Sequence, residues 1–154
     1  MMNEFMMAAI EEAKLGVTAQ HGGPFGAVIV YQNQIIARAH NEVLLQQDPT
    51  CHGEMMAIRR AAQVLKNFNL SECELYTTAE PCPMCLAAIL WARIGKIYYG
   101  CTRLDTEKIG FDDESFYEMI ANDSKRNSLM EKIHRTECLE VFKLWDELEG
   151  KTVY

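Results

Sequence analysis

The apolar positions of this chain change period several times, and each change predicts an element. Over residues 3–18, Phe5, Ala9, Ala13 and Val17 recur at four-residue steps, the stripe of an amphipathic helix. Gly22-Gly23-Pro24 closes that helix, and the unbroken run FGAVIVY (25–31) reads as a buried strand. Gln32-Asn33-Gln34 turns the chain into IIARAH (35–40), so the two runs predict a hairpin. Residues 41–50 are polar and read as a loop. Met55, Ile58, Ala62 and Leu65 then line one side of a helix predicted over 51–67. CELYTT (73–78) returns to a strand pattern. Residues 83–91 predict a helix with proline in its first turn, and KIYYGC (96–101) a further strand. A loop and short helix are expected over 110–120, a last strand over 132–137 and a terminal helix over 139–148. Strands alternating with helical segments argue for an α/β fold, its sheet of about five strands covered by helices on both faces.

At 154 residues the chain is read as a single domain, 1–154, with a core large enough to need no staples. No apolar run approaches the ~20 residues of a membrane span, so no membrane association is expected. The first sixteen residues carry acids and no basic stretch, which reads as a helix and not a secretory leader. With no such leader, the six cysteines are expected to be reduced thiols in a cytoplasmic setting, not a disulfide framework. Net charge is −7, and from Leu104 onward thirteen Asp and Glu face seven Lys and Arg. Such a surface is a poor partner for a phosphate backbone, which weighs against a nucleic-acid substrate.

The candidate chemistry begins at EPCPMCLAAILW (80–91). Cys82 and Cys85 fall on one face of a helix start, where free N–H groups and the dipole stabilise thiolates. Alone, the pair could be a redox couple, half of a structural zinc site, or two ligands of a working metal. The earlier helix begins at Cys51-His52-Gly53-Glu54, and a regular crossover would bring both helix starts to one end of the sheet. His52, Cys82 and Cys85 then offer one imidazole and two thiolates to Zn2+, leaving a fourth position for water. Glu54 supplies the carboxylate that could move the water's proton. The spacing His-x-Glu, then Pro-Cys-x-x-Cys about thirty residues on, is the signature of zinc deaminases. It decides for a catalytic metal. Cys51 as a fourth ligand would make the zinc structural but leave Glu54 without a task. Cys73, Cys101 and Cys138 read as small buried hydrophobes.

These motifs resemble the cytidine deaminase-like superfamily and, within it, the small bacterial guanine deaminases. The resemblance rests on GGPFGAVIV (22–30), Asn41, DPT-x-H-x-E (48–54), EPCPMC (80–85), WAR (91–93), GFDD (110–113) and the final Tyr154. It implies a three-layer α/β/α sandwich and a homodimer whose C-terminal segment, about 128–154, is exchanged to cap the partner's site. It also implies that His52, Cys82 and Cys85 bind zinc and Glu54 shuttles protons. Asn41 would hydrogen-bond the purine, Phe25 would pack on its ring, and Asp113 and Tyr154 would contact the substrate or the departing amine. The expected reaction is hydrolytic deamination of a free nucleobase, guanine to xanthine plus ammonia. Cys51, Gly53 and Ala79 depart from the usual pattern of the branch. The alternatives are deamination of cytosine or a related amino-heterocycle, deamination of a tRNA adenosine, and a non-catalytic zinc or thiol module.

Overall fold

The computed structural model describes residues 3–154, which form two compact units, one ending at Asp113 and one spanning Glu114–Tyr154. The first opens with α1 (Glu4–Thr18), capped by Asn3, whose side chain accepts from the Met6 N–H. The hairpin follows as β1 (Gly26–Tyr31) and β2 (Gln34–His40). Gln32 and Asn33 both take positive φ at its tip, the backbone a two-residue turn needs to match strand twist. A short α2 (Val43–Gln46) interrupts the expected loop, and α3 (Gly53–Leu65) starts two residues later than the pattern predicted. Then come β3 (Cys73–Ala79), α4 (Pro83–Trp91), β4 (Lys96–Cys101) and α5 (Arg103–Lys108).

The strands lie in the order β2-β1-β3-β4, with β1 antiparallel to both neighbours and β3 parallel to β4. Alternation along β1 sends Ala27 and Ile29 to one face and Val28 and Val30 to the other. The first pair packs with Ala57 and Ala61 of α3 and Ile89 of α4, the second with Ala8 and Ala9 of α1. Helices thus cover both faces, which explains a strand apolar at every position. Gly26 permits the close approach of α1, since a Cβ there would lie 2.1 Å from the Ala9 carbonyl oxygen. Pairing of Gly26 with His40, Ala27 with Thr77 and Ala79 with Cys101 puts the ends of β2, β3 and β4 at one end of the sheet. The helices α3 and α4 both begin from there.

The second unit holds α6 (Glu114–Ala121), α7 (Asp123–Asn127) and α8 (Arg135–Glu147). The strand expected over 132–137 does not form, so the sheet has four strands and not about five. Cys138, Val141, Phe142 and Trp145 repeat at helical spacing, and that stripe carries α8 back to Arg135. Over 131–134, just before it, Ile133 is the sole apolar side chain, too little for a strand face.

Candidate active site

Two helix N-termini build the site. His52 is the N-cap of α3 and Cys82 the N-cap of α4, both in extended backbone, and Pro83 occupies the first position of α4. His52 Nδ1 lies 3.6 Å from Cys82 Sγ and 3.5 Å from Cys85 Sγ. Zinc bonds of about 2.1 Å to nitrogen and 2.3 Å to sulfur, meeting at a tetrahedral angle, set those atoms about 3.6 Å apart. The three side chains therefore fit the ion by distance as well as by donor type. Among the described residues they form the one His, Cys, Asp and Glu group close enough to hold a metal, and Cys51 is outside it. The Cys51 thiol is instead buried near Arg59, whose Nη1 lies 3.8 Å away.

The hydrogen bond from Cys85 draws the Cys82 thiol down to about 4, with His52 adding to the effect. The same bond pushes the Cys85 thiol up, and the bond to Cys82 raises the imidazole of His52. Protons shared among three soft donors stand where a dication would satisfy all three at once.

Glu54 opens the first turn of α3 with its carboxyl buried beside the ligands. Burial pushes its affinity for a proton up, the direction a general base near neutral pH requires. Thr77 of β3 opposes this by donating its hydroxyl to Oε1 at 3.0 Å, and Cys85 Sγ lies 3.5 Å from Oε2. No motif marked Thr77. Its place follows from strand register, two residues before the end of β3 and opposite Ala27.

Asn41 and Phe25 also come together at this end of the sheet. The Asn41 N–H donates to the Phe25 carbonyl at 2.9 Å, and that carbonyl lies under the start of α3 at Gly53. The buried Asn41 side chain accepts from the Val43 N–H through Oδ1 at 3.1 Å, which fixes the amide and directs its NH2 elsewhere. Gly22 is indispensable to this cradle, because a Cβ there would lie 2.0 Å from that Oδ1. Phe25 meets Phe111 edge to face at 5.1 Å. Phe111 stands inside the GFDD motif without having been singled out. Asp113 is half-buried, its carboxyl raised by burial and by the charge of Cys82, which places it within electrostatic reach of the ligands. Tyr154 belongs to the second unit, where it is exposed. Of the other cysteines, Cys73 is buried as expected, whereas Cys101 and Cys138 are exposed and are not core residues.

With a mixed sheet between helical layers and these side chains at two helix starts, the chain belongs to the family described as cytidine and deoxycytidylate deaminase zinc-binding region, which matches residues 1–101. Zinc-dependent aminohydrolase chemistry comes with that membership. The chain is 42% identical to guanine deaminase of Bacillus subtilis over 151 residues, 97% of each protein. A crystal structure of guanine deaminase from the same organism superposes with a TM-score of 0.93 at 42% identity, covering 99% of both chains. A tRNA-specific adenosine deaminase of Buchnera aphidicola is 36% identical over 118 residues, 77% of this chain and 76% of the relative.

Proposed function

We propose that this protein hydrolyses free guanine to xanthine and ammonia. The observation that carries the reading is the reach of the likeness. Similarity to a guanine deaminase runs through 97% of the chain at 42% identity, whereas two tRNA deaminases match 77% and 87% of it at 36% and 35%. His52, Cys82 and Cys85 would hold the zinc, which when bound would supply Lewis-acid activation of a water. Glu54 takes one proton of the water and passes it to a ring nitrogen, then takes the second from the added hydroxyl and passes it to the leaving amine. Thr77 keeps the carboxylate aimed. The NH2 of Asn41 donates to a guanine acceptor (N3, N7 or O6), and Phe25 packs on the ring. Asp113 accepts from the N–H edge of the base or takes up the departing ammonia, with Tyr154 closing over the substrate.

The same proposal includes a homodimer in which residues of about 128–154 are exchanged and cap the partner's site. Each unit supports it separately. Leu90, Trp91 and Tyr99 are exposed in the first, as are Phe142, Leu144 and Trp145 in the second, more apolar surface than a monomer ordinarily leaves in water. A cytoplasmic setting is part of the reading too: a paired-thiol zinc site favours a reducing compartment. No helix among the described residues is long and apolar enough to cross a membrane.

Ammonia and xanthine release from guanine by the zinc-loaded protein tests the reaction, with Glu54→Ala as the blank. Turnover in the wild type alone is the expected result, and an inactive wild type refutes the substrate. Likeness to a tRNA-specific adenosine deaminase keeps one rival, which a tRNA anticodon stem-loop offered in parallel would reveal. Exchange is tested by mixing Glu54→Ala protomers with protomers lacking Tyr154. Neither works alone, and a mixed dimer regains activity only if one chain completes the other's site.

A further inference from the structure

Outside the ligand cluster, the first unit contains a second run of titratable groups joined end to end. Glu12 Oε2 lies 2.9 Å from His40 Nδ1, and His40 Nε2 lies 2.9 Å from His21 Nδ1. The two imidazoles sit edge to edge with only 22° between their planes, the geometry of one N–H···N bond. The side chains of His40 and Glu12 are 9% and 15% exposed, so water replaces these bonds poorly. The link joins α1, the end of β2 and the segment between α1 and β1.

That segment is pinned by the backbone of His21 as well. Its N–H donates to Gly16, and its carbonyl accepts from Leu44 and Leu45 at the start of α2. The residue after His21 is Gly22, which abuts the Asn41 amide, and the residue after His40 is Asn41 itself. The histidine pair therefore ties together the two backbones that meet at Asn41. A shift of one ring against the other moves Gly22 against the amide oxygen.

We propose that the Glu12–His40–His21 link is a positioning device for Asn41, and that it lets go when both imidazoles are protonated. The inference rests on the reading of Asn41 as a contact to the base. Proton counting gives the second clause. With His40 Nδ1–H directed to Glu12, neutral His40 accepts at Nε2 from His21. A first added proton leaves the bond intact, since either ring can be the imidazolium that donates to the other. A second proton places N–H against N–H and like charges side by side. Glu12 of α1 faces His40, and so does the charge of Glu42, itself paired with Arg60 of α3. The ion pair of Glu11 and Arg38 lies further out at the surface. None of these carboxylates relieves the clash created by the second proton.

The test combines His21→Leu and His21→Asn in the full-length, zinc-loaded protein. His21→Leu removes the bond, and KM for guanine should rise about 5-fold with kcat within roughly twofold. In the wild type, KM should climb in acid once both rings carry a proton. His21→Asn places an amide where Nδ1 was, able to donate to neutral His40 or accept from its imidazolium. It should restore KM and remove the acid rise, which a merely structural role would not do. Amide protection at Asn41, Leu44 and Leu45, followed by hydrogen exchange, should fall in His21→Leu and recover in His21→Asn. Unchanged KM and acid profile in His21→Leu overturn the proposal, as does a rise in exchange with no change in KM. If the wild type releases no ammonia from guanine, the substrate reading is what fails. Exchange at Asn41 in the same variants then decides whether the link holds that residue, and unaltered protection overturns it.

Discussion

Replacing Thr77 by valine removes one hydroxyl and leaves the shape nearly unchanged. The side chain is 1% exposed and donates to a Glu54 carboxyl that is itself buried, so water cannot substitute for the lost bond. A hydrogen bond to a charged group is worth about 1.5–3 kcal/mol, and the deficit is largest where the acceptor is sealed from solvent. Two consequences follow from the same atom. Stability should fall by about 1–2 kcal/mol, because valine's added methyl recovers part of the loss. Glu54 should also lose its aim and bind its proton more tightly, since Thr77 opposes the effect of burial. If most of the bond's worth is expressed in the transition state, kcat drops about 10- to 50-fold with KM little changed. Steady-state ammonia release, urea denaturation and zinc content measured on one preparation read all three quantities. Thr77→Ser keeps the hydroxyl and should stay within a few-fold of the wild type. A valine variant with normal kcat beside an impaired serine variant would show that packing, not the hydrogen bond, is what position 77 contributes.

Gly22→Ala should raise KM at least about 5-fold and lower stability by about 1–3 kcal/mol, read by kinetics and denaturation. The new Cβ meets Asn41 Oδ1 at 2.0 Å, which a side-chain rotation can relieve, and the Asn41 carbonyl at 2.8 Å, which only a backbone shift can. Stripping zinc with a chelator should lower Tm by at least about 5 °C and expose Cys82 and Cys85 to a thiol reagent, both reversed by added zinc. Unaltered Tm and thiol count would place the metal elsewhere. Cys51→Ala should keep the wild-type zinc content, because its thiol lies outside the ligand group; lost zinc would make it a ligand after all. Burial pushes Glu42 up, but hydrogen bonds from Gln46 and Arg60 hold it below the ordinary carboxylate range. The unfolded chain therefore takes up that proton at a higher pH than the folded one. The stability this lends is complete at neutral pH and is lost as pH falls through the folded value. Arg60→Ala should accordingly flatten the acid limb of a denaturation profile, and an unchanged limb would dismiss the pair.

Much of the frame is written in local pattern. The strand 25–31, apolar at every position, implied a sheet covered on both faces, and Val28 and Ile29 do face opposite layers. The two helix starts at His52 and Cys82 were legible because ligand spacing and capping positions coincide. What escaped depended on partners distant in sequence. Thr77 matters through register with β1 and the reach of Glu54, and the chain around it reads only as strand. The cradle of Asn41 needs Gly22 from a segment nineteen residues earlier. α5 was overlooked although Thr102 and Asp105 form a reciprocal capping box, a signal the sequence does carry. The missing fifth strand was a conflict of periods. Of the span expected as strand, residues 135–137 belong instead to α8, whose stripe runs through Val141 and Trp145.

On the proposed reading, the chemistry and the choice of substrate would rest on differently built parts of the molecule. His52, Cys82, Cys85 and Glu54 are held by the starts of α3 and α4, and the matching family region ends at residue 101. That portion is shared with relatives whose names place them on guanine and on tRNA adenosine alike. The groups offered for reading the base are attached otherwise. Asn41 is oriented by one backbone N–H and the close fit of Gly22, Phe25 leans on Phe111, and Asp113 and Tyr154 lie beyond the family region. Side-chain contacts of this kind can be exchanged singly without disturbing a sheet, whereas moving a zinc ligand would displace a helix start. A fold so divided can keep one hydrolytic reaction while its substrate changes. In this chain the hydrogen-bonded link from Glu12 through His40 to His21 ends beside Gly22 and Asn41, and on the proposed reading it would tie that adaptable half together.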